Sequence, residues 1–142
     1  MFLLDTNIIS ELMRPNPIQK VDDWVNSQAL ETLFISAVSV AELDFGIELL
    51  PEGKRKENFR TVFEEIMAEC FGLGKERRVL NLDEKAARTY GKLRAKARKQ
   101  GLAIGKSDGY IGAVACSNKL SVVSRDTSPF EAMGLNVINP FE

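Results

Sequence analysis

Short apolar runs closed by polar turns alternate with segments of helical periodicity along nearly the whole chain, and that alternation limits the folds open to it. Phe2-Leu3-Leu4 gives way at once to Asp5-Thr6-Asn7, as a short buried strand would. Thr32-Leu33-Phe34-Ile35, a weaker Arg77-Arg78-Val79-Leu80, Ser121-Val122-Val123 and Leu135-Asn136-Val137-Ile138 read the same way. Between them, Ile8, Ile9, Leu12 and Met13 recur at helical spacing until Arg14-Pro15-Asn16-Pro17 stops the helix. Residues 18–29 set Val21, Trp24 and Val25 on one side, and residues 36–50 set Val40, Leu43, Ile47 and Leu50 on another. Further helices are expected over about 55–70, from an Asp83 cap to a Gly101 stop, from a Ser107 cap onward, and near 128–133. Strands separated by helices predict an α/β fold with a mostly parallel sheet of four or five short strands, flanked by helices on both faces. No repeat, low-complexity segment or linker interrupts the pattern, so residues 1–142 are expected to form one domain.

In such sheets ligands bind beyond the carboxyl ends of the strands. Asp5 and Asp126 fall at two of those ends, while Glu42 and Asp108 lie early in helical segments. Each acid also has a structural reading. Asp5 could cap the first helix through the N–H groups of residues 7 and 8. Glu42 could border an amphipathic face, Asp108 could complement a helix dipole, and Asp126 could be a turn residue. Four acids converging at one end of a sheet would repel one another unless a divalent cation bound there.

The chain has no histidine. That excludes Ser-His-Asp and Cys-His catalysis, imidazole acid–base chemistry and zinc sites with histidine ligands. Carboxylates around a hard cation then become the natural route to hydrolysis. Mg²⁺ and Mn²⁺ prefer oxygen ligands, Mg²⁺ takes few of them directly from protein, and a metal-bound water is an available nucleophile.

Net charge is −1, but its distribution is uneven. Residues 1–50 carry eight acids and two bases, whereas residues 85–106 carry eight bases and no acid. The basic segment is expected to attract a polyanion, with Lys92, Arg94, Lys96, Lys99 and Lys106 as backbone contacts; a solvated helix surface is the other reading. Tyr90 and Tyr110 read as isolated, so no base-reading platform is expected. Gly101-Leu102-Ala103-Ile104-Gly105-Lys106-Ser107 has three residues between its glycines where a P-loop needs four, and a helix precedes it. It is expected to be a turn between helices. No apolar stretch nears the roughly 20 residues of a membrane span, and no signal-peptide pattern opens the chain, so a cytoplasmic protein with reduced Cys70 and Cys116 is expected.

Taken in order, Leu3-Leu4-Asp5-Thr6-Asn7-Ile8-Ile9-Ser10, Ile35-Ser36-Ala37-Val38-Ser39-Val40-Ala41-Glu42-Leu43 with Gly46, Ser107-Asp108-Gly109-Tyr110-Ile111-Gly112-Ala113, Ser124-Arg125-Asp126-Thr127 and Val137-Ile138-Asn139-Pro140-Phe141 cover essentially the whole chain. The set resembles a PIN-domain ribonuclease of the VapC type, in its FitB-like subgroup. The resemblance implies a single PIN-like domain with a Mg²⁺- or Mn²⁺-dependent endoribonuclease activity. Asp5, Glu42, Asp108 and Asp126 match the family's acidic quartet, with Asp5, Asp108 and Asp126 at the metal and Glu42 a ligand or water-orienting base. Thr6, Asn7 and Ser124 match the polar groups that support those acids. Many relatives carry another acid where this chain has Pro129. One firmly held cation, with a second arriving with substrate, is therefore expected.

The resemblance also implies a toxin of a type II pair, held by a small VapB- or FitA-like antitoxin that places a basic residue in the acidic pocket. Helices at 7–13, 18–29 and 38–50 are candidates for the antitoxin groove and a homodimer contact. Operator DNA would be reached only through the antitoxin, and the RNA substrate has tRNA as one option. Two other readings stand beside it: a catalytically weak PIN fold acting with its antitoxin as a DNA-bound regulator, and a metal-dependent DNA or flap nuclease.

Overall fold

A computed structural model describes residues 1–142. Five parallel strands run in the order β3-β2-β1-β4-β5: β1 (Phe2–Leu4), β2 (Leu33–Ser36), β3 (Val79–Leu80), β4 (Ser121–Val123) and β5 (Val137–Ile138). The helices are α1 (Thr6–Leu12), α2 (Gln19–Asn26), α3 (Ala37–Glu48), α4 (Lys54–Phe71), α5 (Glu84–Lys99), α6 (Lys106–Ser117) and α7 (Ser128–Ala132). Single 3₁₀ turns occupy Leu30–Thr32 and Gly74–Glu76. The expected α/β architecture, with a parallel sheet covered on both faces, is what forms.

Strand periodicity explains the two layers. Successive side chains on a strand point to opposite faces. Leu4 and Val123 therefore join Ile8, Ile9, Val21, Leu43, Ile47, Phe63 and Phe71 beneath α1–α4, whereas Leu3 and Val122 join Ile111, Val114, Ala115 and Phe130 beneath α5–α7. The central strands are apolar at both parities because both faces are buried. Small residues bring α6 close to its neighbours. A Cβ on Gly109 would stand 2.7 Å from Cε2 of Tyr90, so only glycine lets α6 pack against α5 there.

Several expected boundaries shift. The helix expected over 18–29 ends at Asn26, and residues 30–32 tighten into a 3₁₀ turn before β2. The expected strand at 32–35 lies one residue later, and the expected 135–138 strand is only Val137–Ile138. Asp83 caps α5 by accepting from the Ala86 N–H at 2.9 Å. Ser107 does not cap α6; Gly105 holds the cap position with no side-chain bond, and Ser107 is already the second helical residue. The linking segment after α5 turns at Gly101 with φ +78°, a left-handed conformation suited to glycine, as the turn reading required. Cys70 and Cys116 are free thiols. No helix is long and apolar enough to cross a membrane.

Candidate functional site

Each of the four acids is delivered to one end of the sheet by the parallel topology. Asp5 directly follows β1, and Asp126 lies just past β4. Glu42 sits in the second turn of α3, which springs from the end of β2. Asp108 is the third residue of α6, whose far end leads into β4, so its N-terminal turn lies back at the carboxyl ends of the strands.

Asp5 is the most enclosed of them, at 4% exposure. Its Oδ1 accepts from the Thr6 N–H at 2.8 Å, so it caps α1 through residue 6 rather than through residues 7 and 8. Its Oδ2 accepts from the Ser124 hydroxyl at 2.7 Å and more distantly from the Asn7 amide at 3.4 Å. Asn7 also donates to Ser124 Oγ at 3.2 Å and accepts from the Arg125 N–H at 3.2 Å. The Asp126 N–H donates to Ser124 Oγ at 3.1 Å. Ser124 and Asn7 thus tie β1 and α1 to the loop after β4. The capping and site readings of Asp5 are compatible, because its two oxygens face different donors.

Glu42 is held from another direction. The Thr6 hydroxyl donates to Glu42 Oε1 at 2.7 Å, and the Ser39 hydroxyl stands 3.0 Å from the same Thr6 oxygen. Ser39 is fully buried one turn before Glu42 on α3, and its N–H is capped by Ser36 Oγ at 3.1 Å. Sequence reasoning singled out Thr6 but missed Ser39. The serine pair at the entry of α3 was the available signal, because a cap fixes the register of the turn that carries Glu42.

The electrostatics follow from this placement. Burial pushes the Asp5 carboxyl from 3.8 up to about 6, against the lowering effect of its Ser124 and Thr6 bonds, and the Asp108 and Glu42 charges add to the rise. Burial likewise raises Asp108, with repulsion from Asp126 and Glu42 behind it. Its position in the first turn of α6 favours a negative charge, but burial and repulsion outweigh that dipole. These mutual repulsions link all four acids into one field. Every ion pair in the molecule lies elsewhere, on Glu11, Asp44, Glu48, Glu52 and Glu84. None of the four acids of the quartet takes part in an ion pair.

No three carboxylates are gathered into a ready-made cage. Asp126 is exposed, and Asp108 is only partly covered. Such a donor set, all hard oxygens with negative charge unbalanced, fits a cation that binds few protein oxygens directly and keeps its waters. Pro129 lies at the start of α7, where a missing N–H costs nothing, and adds no further carboxylate.

Beside Glu42 a hollow of about 240 Å³ is lined by Thr6, Ser10, Met13, Gly46, Ile47 and Phe59, among others. A second of about 630 Å³ shares Met13 and Phe59 and extends to Arg14, Arg55 and Val62. On the opposite side, the expected basic set divides. Lys92, Lys96, Lys99 and Lys106 are exposed, whereas Arg94 is half-buried, donates to the Tyr90 hydroxyl at 2.7 Å and lies over its ring at 5.7 Å. Tyr90 and Tyr110 are not isolated. Their ring centroids are 4.3 Å apart across the α5–α6 contact, a pairing between elements that neither local sequence announces.

The PIN domain family model matches residues 2–135. A VapC ribonuclease, Y4jK, from Sinorhizobium fredii is 47% identical over 143 residues, covering 100% of this chain and 99% of that protein. Toxin FitB from Neisseria gonorrhoeae is 40% identical, covering 99% of each. Among solved structures, FitAB bound to an IR36 DNA fragment superposes with a TM-score of 0.90 at 39% identity, covering 100% of this chain and 96% of that one.

Proposed function

Because the chain belongs to the PIN-domain family, alongside VapC- and FitB-type members, we propose that it is a divalent-metal-dependent endoribonuclease and the toxin half of a type II toxin–antitoxin pair. The observation that carries the reading is the quartet itself: four carboxylates in one field at the carboxyl ends of the strands, none of them in an ion pair. The ribonuclease named at 47% identity supports RNA over DNA as substrate.

In this reading Asp5, Asp108 and Asp126 would hold Mg²⁺ or Mn²⁺, directly or through water. When bound, the cation offsets charge on the phosphodiester and acidifies the attacking water. Glu42, fixed by the Thr6 hydroxyl, would orient the attacking water and accept its proton. Ser124 and Asn7 keep the Asp5 carboxylate facing the site. Asp5, Asp108 and Asp126 would hold one cation firmly, and Pro129, which leaves the outer side without a fifth acid, would leave a second to arrive with the RNA.

The antitoxin would lie along the two connected hollows beside Glu42, with an apolar face against Met13 and Phe59 and a basic side chain reaching the quartet. The DNA-bound FitAB structure supports operator contact through that partner. Phe45 on α3 and Leu49 just past its end, 65% and 68% exposed, support a homodimer contact in a cytoplasmic protein. The test is cleavage of a whole-cell RNA pool by purified, antitoxin-free protein with Mg²⁺ or Mn²⁺. Cleavage that chelator, Asp5→Asn and Asp108→Asn each abolish is the expected result. Cleavage indifferent to all three places the active site elsewhere, and an inert protein that binds DNA with its antitoxin makes it a regulator.

A further inference from the structure

The bases of α5 do not form one surface. At about 100° per residue, Tyr90, Arg94 and Arg98 fall within one arc of roughly 80°, while Lys85, Lys92, Lys96 and Lys99 point to the opposite side. Ala86 and Ala97 are buried and Leu93 partly so, which fixes the face turned to α6 and places Arg94 and Arg98 on one flank of it. There, with Gly101, Leu102, Ala103 and Ile104, the two arginines line a hollow of about 440 Å³.

Three further observations give this hollow a ligand class. Neither arginine is paired with an acid, whereas Arg14, Arg60, Arg88 and Lys56 all are. Arg94 is instead oriented by the neutral hydroxyl and ring of Tyr90, which position the guanidinium without spending its charge. Tyr90 is itself braced by Tyr110 and by the close approach of Gly109, the residue after Asp108. The hollow also ends next to the acidic site: Ile104 lines it, and a Cβ on the following Gly105 would be 3.8 Å from Oδ2 of Asp108.

We propose that Arg94 and Arg98, with Tyr90 as the positioning residue, form a phosphate subsite for the nucleic-acid strand next to the cleaved linkage, so that α5 binds RNA through one built hollow rather than through a diffuse basic face. A guanidinium offers a planar fork matched to phosphate oxygens, and two of them can grip one phosphodiester or two successive ones. The inference rests on the ribonuclease reading and narrows it: the exposed lysines on the far side of α5 steer, and the arginines hold.

Binding of a labelled random-sequence oligoribonucleotide pool to the Asp108→Asn protein, measured across a salt series, separates these roles. Arg94→Ala with Arg98→Ala should weaken binding about 10-fold and lower the slope of log K against log salt by about 1.4, the value for two contacts on a single strand. Lys92→Ala with Lys96→Ala removes the same charge and should change the slope by less than half as much. Tyr90→Phe keeps every charge and should raise KM for RNA cleavage about 3-fold at constant kcat in the otherwise native protein. Equal slopes for the two double variants, an unaltered slope after loss of both arginines, or no RNA binding by the parent would each overturn the subsite. If native protein cuts RNA while the arginine pair has no effect, the subsite alone falls. If the arginine-dependent slope is found but native protein cuts nothing, the catalytic reading falls and the subsite stands.

Discussion

The two halves of the acidic site are built differently. On the inner side, Asp5 is buried and bonded to Thr6, Ser124 and Asn7, while Glu42 is held by Thr6 with Ser39 behind it. On the outer side, Asp108 is half-covered and Asp126 exposed, and neither carboxylate accepts a hydrogen bond from another residue. The inner half is thus ordered at a standing cost in stability, and the outer half stays open to solvent. Preorganisation where charge must be held, and openness where substrate must enter, is what an electrostatic catalyst requires. It also explains how an unbalanced quartet persists: only one of the four acids bears most of the burial.

The largest break in this contrast comes from Asp5→Asn and Asp108→Asn. Each should lower RNA cleavage about 1000-fold, equivalent to about 4 kcal/mol of transition-state stabilisation. Their stabilities should diverge. Asp5→Asn should melt no lower than the native protein without metal, because it removes a buried charge, and Asp108→Asn should gain less. A melting temperature that falls sharply for Asp5→Asn would show that the inner carboxylate is a net structural support.

Next comes pH. The folded-state pKa of Asp5 is raised from 3.8 to about 6, so the native state binds more protons than the unfolded chain between those values. Its contribution is therefore fully present below about pH 4 and is lost as pH rises through about 6, a swing of about 3 kcal/mol at most. In chelator, urea melts should show Asp5→Asn gaining on the native protein as pH increases across that window. With Mg²⁺ the native protein should recover the difference above pH 6 by binding to the ionised form. Parallel pH profiles for the two proteins would contradict the burial argument.

Ser124→Ala sharpens the inner half on its own. It removes the donor that lowers the Asp5 pKa, so kcat should fall about 10-fold and its acidic limb should move to higher pH. Thr6→Val is the smallest expected effect, about 3-fold in kcat, since Glu42 stays in place on α3 but loses its 2.7 Å donor. An effect of Thr6→Val as large as that of Asp5→Asn would place Glu42, and not Asp5, at the centre of the inner half.

Much of this architecture was legible along the chain. Leu3-Leu4 and Val122-Val123 are apolar at both parities, which is the mark of strands buried on two faces, and the topology then carries any acid at a strand end to one side. Asp5 and Asp126 could be placed that way from position alone. What stayed hidden was set by contacts between distant segments. The helix start at Gly105 in place of Ser107 reflects how the loop after Gly101 approaches α6, and the Tyr90–Tyr110 pair exists only once α5 lies against α6. The division of the basic segment was partly readable, because helical spacing already separates Arg94 and Arg98 from the lysines. Which side faces a hollow needed the fold.

The bond from Ser124 to Asp5 spans 119 residues, and β1, at the centre of the sheet, pairs with β4 across nearly the same interval. At about 5–20 residues per second, a ribosome needs roughly 6–24 s to cover that distance. During that time the first strand has no partner on one side, and the aspartate behind it has no serine. The site therefore cannot be assembled piecemeal as the chain emerges. In the toxin reading, the machinery that synthesises the chain has a grace period measured in seconds, long enough for a partner made nearby to be waiting when the last acid of the quartet arrives.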